Sequence, residues 1–306
     1  MMKRVSPRAF AAGCLFLASA IWGVSFVTQK VAGDYMGAFT YNGFRFALGA
    51  FALLPAARLF EKRDPAKGRL TLLTGLAGGG VLFFASNLQQ FGILLSQSPS
   101  SAGEAGFITG MYIIFVPILG LALGRKTRPL VWLCAVLAFG GLALLSVGTG
   151  GLAAAQLSDL LLVLCAVFWA VHILLIDRFA ASIHPIRFAA VQFAVCSALC
   201  VAAAFIFEDV TPQGLADGLG VLLFGGVVAS GFAYTLQVFG QRGVGPSQAA
   251  VIFSLEAPFA ALGEAVFLGE LMTPRKTLGA AVILFSILLS QRRKPEKRAA
   301  EKPPPA

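Results

Sequence analysis

The sequence has little charge for its length. Only 12% of its 306 residues are Asp, Glu, Lys or Arg, whereas 58% are hydrophobic. A soluble globular domain usually has about a quarter of its residues charged, so this composition excludes one. We therefore expect a polytopic membrane protein.

Residues that build most catalytic and metal centres are also scarce. The chain has two histidines, and its five cysteines all lie in apolar stretches without a C-x-x-C pair. There is no H-E-x-x-H motif, no nucleophile elbow, and no Gly-Lys-Ser/Thr after the glycine-rich run at 75–80. These absences predict no metal, no cofactor and no enzymatic activity, and they favour close helix packing as the role of the glycines.

Apolar runs long enough to span a bilayer, roughly 20 residues each, recur along the whole chain. We count ten predicted transmembrane helices, which makes the expected fold all-α. They fall at 10–32, 39–59, 70–95, 100–123, 129–148, 158–177, 185–207, 217–241, 246–268 and 274–291.

Most Lys and Arg residues lie in the end segments and in alternate loops, which predicts that both termini are cytoplasmic. We expect a cytoplasmic amino-terminal segment at 1–9 and a disordered basic cytoplasmic tail at 292–306. The formal net charge of +10 is then mainly a topology signal. Its natural partners are anionic membrane lipids and not nucleic acid, because the charges are scattered over short loops.

The two halves of the chain are related by an internal duplication. Trp22 and Trp169 lie in matching segments 147 positions apart, and Leu88-Gln89-Gln90-Phe91-Gly92 matches Leu236-Gln237-Val238-Phe239-Gly240. Gly124 similarly corresponds to Gly269 in the second half. We place the repeats at 10–148 and 158–291. Because each has five predicted helices, an odd number, the second copy must be inverted in the membrane.

Several motifs in this order resemble the EamA-type branch of the drug/metabolite transporter superfamily. They are Trp22-Gly23, Arg45, Pro117, Ser254-Leu-Glu-Ala-Pro258, Leu268-Gly-Glu270 and Gly279. The resemblance implies a five-plus-five inverted repeat with a cavity lined mainly by helices one, three, four, six, eight and nine. It also implies export of small metabolites, often amino acids, across a bacterial plasma (inner) membrane. One departure is Gly124-Arg125, where that family commonly carries Gly-Glu.

Aromatic and polar side chains inside the predicted spans are candidate substrate ligands. They are Trp22, Ser25, Asn87, Gln90, Tyr112, Trp169, His172, Tyr234, Gln237 and Glu256. The two tryptophans are at symmetric mid-span positions, where both rings can face the cavity. The alternative for the tryptophans is helix packing, and the alternative for the polar residues is hydrogen bonding between helices.

Ionisable residues at membrane depth are costly, which makes them candidates for proton coupling. We place Glu256 first, and His172, Glu264 and Glu104 are further candidates, with Arg45 as the intramembrane counter-charge. Pro258 is expected to bend the helix beside Glu256 because it lacks a backbone N–H. The alternative is that Glu256 only holds this bend.

The sequence therefore predicts a secondary transporter for small amphipathic molecules, with amino acid export as the leading activity. Nucleosides, sugars and polyamines are alternative substrates, and a channel or an intramembrane enzyme is the alternative class. The substrate, the direction, the coupling ion and the choice between monomer and homodimer are left open.

Overall fold

The structure is a computed structural model that describes residues 6–61, 64–96, 101–146, 157–269 and 273–291. Every regular element within these ranges is helical. The predicted basic tail at 292–306, the first residues of the predicted segment 1–9, and Glu270 lie outside the described residues.

The first repeat contains six helical segments. They are α1 (Pro7–Ala32), α2 (Ala38–Phe60), α3 (Pro65–Leu95), α4 (Ser101–Thr109), α5 (Tyr112–Ala122) and α6 (Pro129–Ser146). The first of these begins at an ordinary amino-terminal cap, because Ser6 accepts a hydrogen bond from the Ala9 N–H and Pro7 occupies the first helical position.

The second repeat contains α-helical and π-helical segments in sequence. They are α7 (Leu157–Phe179), α8 (Pro185–Phe207), α9 (Pro212–Asp217), α10 (Leu219–Leu223), π1 (Phe224–Phe232), α11 (Ala233–Gln241), α12 (Pro246–Phe253), α13 (Glu256–Gly263), π2 (Glu264–Leu268) and α14 (Pro274–Gln291).

Eight helices in the described part of the chain are long and apolar enough to cross a membrane. They are Pro7–Ala32, Ala38–Phe60, Lys67–Leu95, Ser101–Ala122, Leu157–Phe179, Pro185–Phe207, Leu219–Gln241 and Pro246–Leu268. The fifth predicted span corresponds to a shorter apolar helix, Pro129–Leu144. The tenth corresponds to α14, whose first turn carries Arg275 and Lys276. The all-helical membrane class is confirmed, whereas the count of ten spans stays a prediction.

Equivalent helices of the two repeats pack against each other. The pairs α2 with α8 and α6 with α14 are in extensive contact, and the contact of α3 with α7 is matched by that of α1 with α11. Glu61 at the end of α2 contacts the start of α8, and Glu208 at the end of α8 contacts the start of α2. These two equivalent helices are therefore antiparallel, as an inverted repeat requires.

The fourth and ninth predicted spans are both broken near their middle. The first is interrupted at Gly110–Met111, between α4 and α5, and the second at Ser254–Leu255, between α12 and α13. Pro258 has no N–H for the Ser254 carbonyl four residues earlier, so the expected disruption beside Glu256 is confirmed. Both breaks leave the beginning of a half-helix inside the bundle.

Two glycines at matching positions adopt a backbone conformation that other residues rarely take. Gly124 and Gly269 both have φ of 74°, and each follows a broken span and precedes a helix that begins at proline. Other glycines allow close helix contact: a Cβ on Gly79 would approach Val195 Cβ of α8 to 2.6 Å. The expected packing role of the 75–80 glycine run is confirmed at this position.

Candidate functional site

A small cavity of about 40 Å³ lies inside the bundle, between the two repeats. Its wall is built from both repeats. The lining residues are Trp22, Ser25, Phe26, Gln29, Arg45, Gln89, Thr109, Tyr112, Trp169, Ile173, Tyr234, Gln237, Phe253 and Glu256. All six spans that the family resemblance implies contribute to it, and α2 adds Arg45.

The two helix breaks meet at this cavity. Tyr112 is the first residue of α5 and Glu256 the first residue of α13, and the Tyr112 hydroxyl donates to Glu256 Oε1 at 3.1 Å. The positive end of the α13 helix dipole favours a carboxylate at this position. Gly23 lets α1 approach closely, since a Cβ there would lie 2.7 Å from the Glu256 carbonyl oxygen.

Aromatic rings form one wall of the cavity, with Tyr234 between the two symmetric tryptophans. Its ring centroid is 4.8 Å from that of Trp22 and 6.2 Å from that of Trp169. The Trp22 indole N–H donates to the Ala229 carbonyl at 2.8 Å. Because Ala229 belongs to π1, the altered helical turn lies directly behind this wall.

A series of hydrogen bonds also connects the same two tryptophans. The Trp169 indole N–H donates to Gln89 Oε1 at 2.8 Å, and Gln89 Nε2 donates to Gln29 Oε1 at 2.9 Å. Gln29 Nε2 then contacts Ser25 Oγ at 3.4 Å, and Ser25 Oγ donates to the Trp22 carbonyl at 2.8 Å. These hydrogen bonds link α1, α3 and α7 around the cavity.

A second set of hydrogen-bonded polar side chains holds Arg45 at the cavity. Its Nε donates to Asn42 Oδ1 at 2.8 Å, and Asn42 Nδ2 donates to Asn87 Oδ1 at 2.9 Å. The guanidinium lies 4.5 Å from the centroid of the Phe46 ring. Within the described part of the chain, no ion pair joins Arg45 to Glu256, although both line the cavity.

Seven of the ten predicted substrate ligands line the cavity, and three do not. Asn87 supports Asn42 as described above. Gln90 Nε2 donates to the Gln29 carbonyl at 2.8 Å, and His172 Nε2 is 2.9 Å from Gln192 Oε1. All three are placed as links between helices. None of the three is among the residues that line the cavity, and their contact with substrate stays a prediction.

The further candidates for proton coupling also lie away from the cavity lining. Glu264 is 1% exposed and its Oε1 accepts from the Gly103 N–H at 2.9 Å, in the first turn of α4. Glu104 is half-buried in the same turn. Glu264 therefore accepts a hydrogen bond from a backbone N–H at the amino terminus of α4, which has no partner within that helix. Among the predicted coupling residues, Glu256 is the one that lines the cavity.

Sequence reasoning missed Gln29 altogether. Gln29 lies seven positions after Trp22, two helical turns along the same face of α1. That spacing was the available signal.

In the part of the chain that the structure describes, no group of three or more His, Cys, Asp or Glu residues could hold a metal ion.

Apolar helices around a buried polar cavity, with two half-helices beginning at its wall, are the architecture of a multi-pass membrane carrier. The comparisons agree, since residues 9–147 and 156–291 each match the EamA-like transporter family. The chain belongs to that family and is a membrane transporter. The predicted resemblance is thus confirmed.

Known relatives are similar along most of their length. The chain is 29% identical to an uncharacterized transporter of Archaeoglobus fulgidus over 90% of this chain and 83% of the relative. It is 25% identical to the uncharacterized transporter YwfM of Bacillus subtilis over 94% and 95% of the two chains. A solved structure titled "Crystal structure of protein" superposes with a TM-score of 0.76 at 19% identity, covering 93% and 97%. At 19% identity, this structural similarity shows a shared fold and nothing further.

Proposed function

We propose that this transporter exports amino acids or similar small zwitterions by alternating access. The observation that carries the proposal is the pair of opposite charges at one cavity. Glu256 and Arg45 both line it, and no ion pair joins them. A molecule with an ammonium and a carboxylate group would complement both charges at once.

The ammonium group of such a substrate would lie at the Glu256 end of the cavity. Besides Glu256, the cavity offers the side-chain carbonyl oxygen of Gln237, a lining residue that is 2% exposed. Gln237 Oε1 has no hydrogen-bond partner among the described residues. An unpaired buried carbonyl costs about 1–3 kcal/mol, so an ammonium donor there would be favourable.

The carboxylate and the side chain of the substrate would occupy the remaining walls. Arg45 uses its Nε to bind Asn42, and its guanidinium still lines the cavity. Trp22, Trp169 and Tyr234 supply apolar and aromatic surface for a substrate side chain. This combination favours amphipathic amino acids over strongly polar ones.

The broken helices supply a route for alternating access. Half-helices that meet at mid-membrane can tilt separately from their outer halves, as in other inverted-repeat carriers. Movement of α5 or α13 would separate Tyr112 from Glu256 and open the cavity on one side. Protonation of Glu256 would then alternate with binding of the substrate ammonium.

Among the alternative substrates, polyamines are the least compatible with this cavity, because Arg45 would repel them. Nucleosides and sugars lack the paired charges that Glu256 and Arg45 would neutralise. These differences make the proposal testable with a small panel.

The test is export from proteoliposomes that contain the purified protein and one labelled compound each. We expect efflux of amphipathic amino acids, competition among them, and a higher thermal unfolding midpoint when they bind. Efflux of spermidine or uridine with no efflux of any amino acid would refute the proposal.

A further inference from the structure

A second site candidate is a strongly basic pocket at one end of the bundle, away from the central cavity. The loop between α5 and α6, the start of α1 and the turn before α12 surround it. Four of its lining residues are cations: Arg8, Arg125, Lys126 and Arg128. No Asp or Glu is among the lining residues. Two helices, α6 and α12, also begin here, which adds positive potential.

An apolar groove adjoins this pocket. It is formed by the last turns of α5 and α7, with Leu119, Leu123, Val171 and Leu175 among its walls. Leu123 is 66% exposed and Val171 37% exposed, so apolar side chains of the groove face the outside of the bundle. Arg125 lines both the groove and the pocket, and Arg178 stands at the groove. One elongated molecule can therefore occupy both.

The charge balance here needs Asp177 to be included. Asp177 forms an ion pair with Arg125, and Arg8 Nη2 donates to Gln248 Oε1 at 3.0 Å. The basic cluster is also confined to one repeat. By the repeat alignment, the positions of Arg125, Lys126 and Arg128 correspond to Glu270, Leu271 and Thr273.

We propose that an anionic phospholipid binds here, with its phosphate in the basic pocket and one acyl chain in the groove. The cations select the charged headgroup, and the leucine and valine side chains accept the chain. Phosphatidylglycerol has both parts. The site bridges α5 of the first repeat and α7 of the second, the helices that carry Tyr112 and Trp169. Binding is a separate claim from transport and can be measured without it.

Native mass spectrometry of the detergent-purified protein tests the proposal with three probes. They are phosphatidylglycerol, phosphatidylcholine with the same acyl chains, and glycerol 3-phosphate as a headgroup without chains. We expect one tightly retained phosphatidylglycerol, and much weaker retention of the other two. Equal retention of phosphatidylcholine would overturn the charge argument. Equal binding of glycerol 3-phosphate would show a soluble-anion site and overturn the lipid proposal.

Two variants locate the site. Lys126→Gln with Arg178→Gln removes two exposed cations and leaves the Arg125–Asp177 pair intact. We expect phosphatidylglycerol binding to weaken about fivefold for each cation lost. Val171→Trp fills the groove and should abolish retention while the protein still elutes as a folded species. The matched control is Arg69→Gln, an exposed arginine outside pocket and groove. Unchanged binding in both site variants, or an equal loss in the control, would refute the location.

Discussion

Glu61 and Glu208 occupy equivalent positions, 147 residues apart, and each closes the amino terminus of the other's helix. Glu208 Oε1 accepts from the Phe39 N–H at 2.8 Å, and its Oε2 accepts from the Thr40 N–H and hydroxyl at 2.8 and 2.7 Å. These N–H groups in the first turn of α2 have no partner within their own helix. The second repeat thus completes the hydrogen bonding of the first.

The same arrangement recurs at the other end of the helix pair. Glu61 Oε1 accepts from the Ile186 N–H at 2.7 Å, and Oε2 accepts from the Arg187 N–H at 3.1 Å. Arg187 also donates to the Glu61 carbonyl at 2.9 Å. The two carboxylates hold α2 and α8 antiparallel at both ends.

The first prediction concerns these reciprocal caps. Glu208→Gln should lower the free energy of unfolding by about 1–2 kcal/mol, because the neutral amide loses the charge at the helix amino terminus and one acceptor oxygen. Glu61→Gln should have a similar effect. Unfolding in detergent, followed by circular dichroism, measures both. The control is Asp209→Asn, which removes an exposed carboxylate next to Glu208.

Combining the two cap variants gives a stricter test. The 23 residues of α2 extend over about 34 Å, so the two caps are too distant to interact directly. We expect their effects on unfolding free energy to add within about 0.5 kcal/mol. No loss of stability in either single variant would contradict the capping role.

The second prediction concerns membrane topology. The Lys and Arg distribution predicts that both termini lie in the cytoplasm. A reporter fused at Gly151 should therefore report the outside, and one at the carboxyl terminus the inside. Paired alkaline phosphatase and green fluorescent protein fusions measure this, and the same side for both positions would contradict the predicted inversion.

The third prediction concerns the two symmetric tryptophans. Trp22→Ala and Trp169→Ala should each weaken substrate binding about tenfold, because each removes an aromatic wall of the cavity. The Phe variants keep a ring but lose the hydrogen bonds to Ala229 and Gln89. They should bind more tightly than the Ala variants.

Trp132 provides the matched control, since it is a half-buried tryptophan of α6 outside the cavity lining. Trp132→Ala should leave binding unchanged in the same thermal-shift titration. If the Trp22 and Trp169 variants lose folded yield and binding to the same degree, the side chains only pack between helices.

The fourth prediction concerns Glu256. Glu256→Gln should keep the fold, because the amide oxygen can still accept from Tyr112, yet it should abolish substrate binding or the pH dependence of transport. Transport in proteoliposomes over a range of pH measures this. Wild-type rate and pH profile in the variant would refute a coupling role.

Glu264→Gln is the comparison for this experiment. Glu264 is another buried carboxylate of the same broken span, and it binds the Gly103 N–H outside the cavity lining. Its replacement should lower stability and leave the pH profile intact. A changed profile in Glu264→Gln alone would move the coupling role to that residue.

Much of the architecture follows from the sequence because membrane depth is encoded by composition. Apolar runs, the matching positions of Trp22 and Trp169, and the proline beside Glu256 identified the spans, the duplication and one helix break. Tyr112, Tyr234 and Gln237 were also singled out as polar groups at mid-span. Each of these inferences depends on position along a helix, and that position follows directly from the order of residues in the sequence.

The rotation of each helix was decided only by the tertiary structure. Lipid-facing and helix-facing surfaces are both apolar in a membrane, so the hydrophobic pattern does not separate them, and polar residues turn inward whether they meet a cavity or another helix. That is why Gln29 joins the cavity wall, whereas His172, Asn87 and Gln90 are used between helices. The pairing of Tyr112 with Glu256 likewise required the two broken spans to meet, because their side chains belong to different repeats and come together only in the folded bundle.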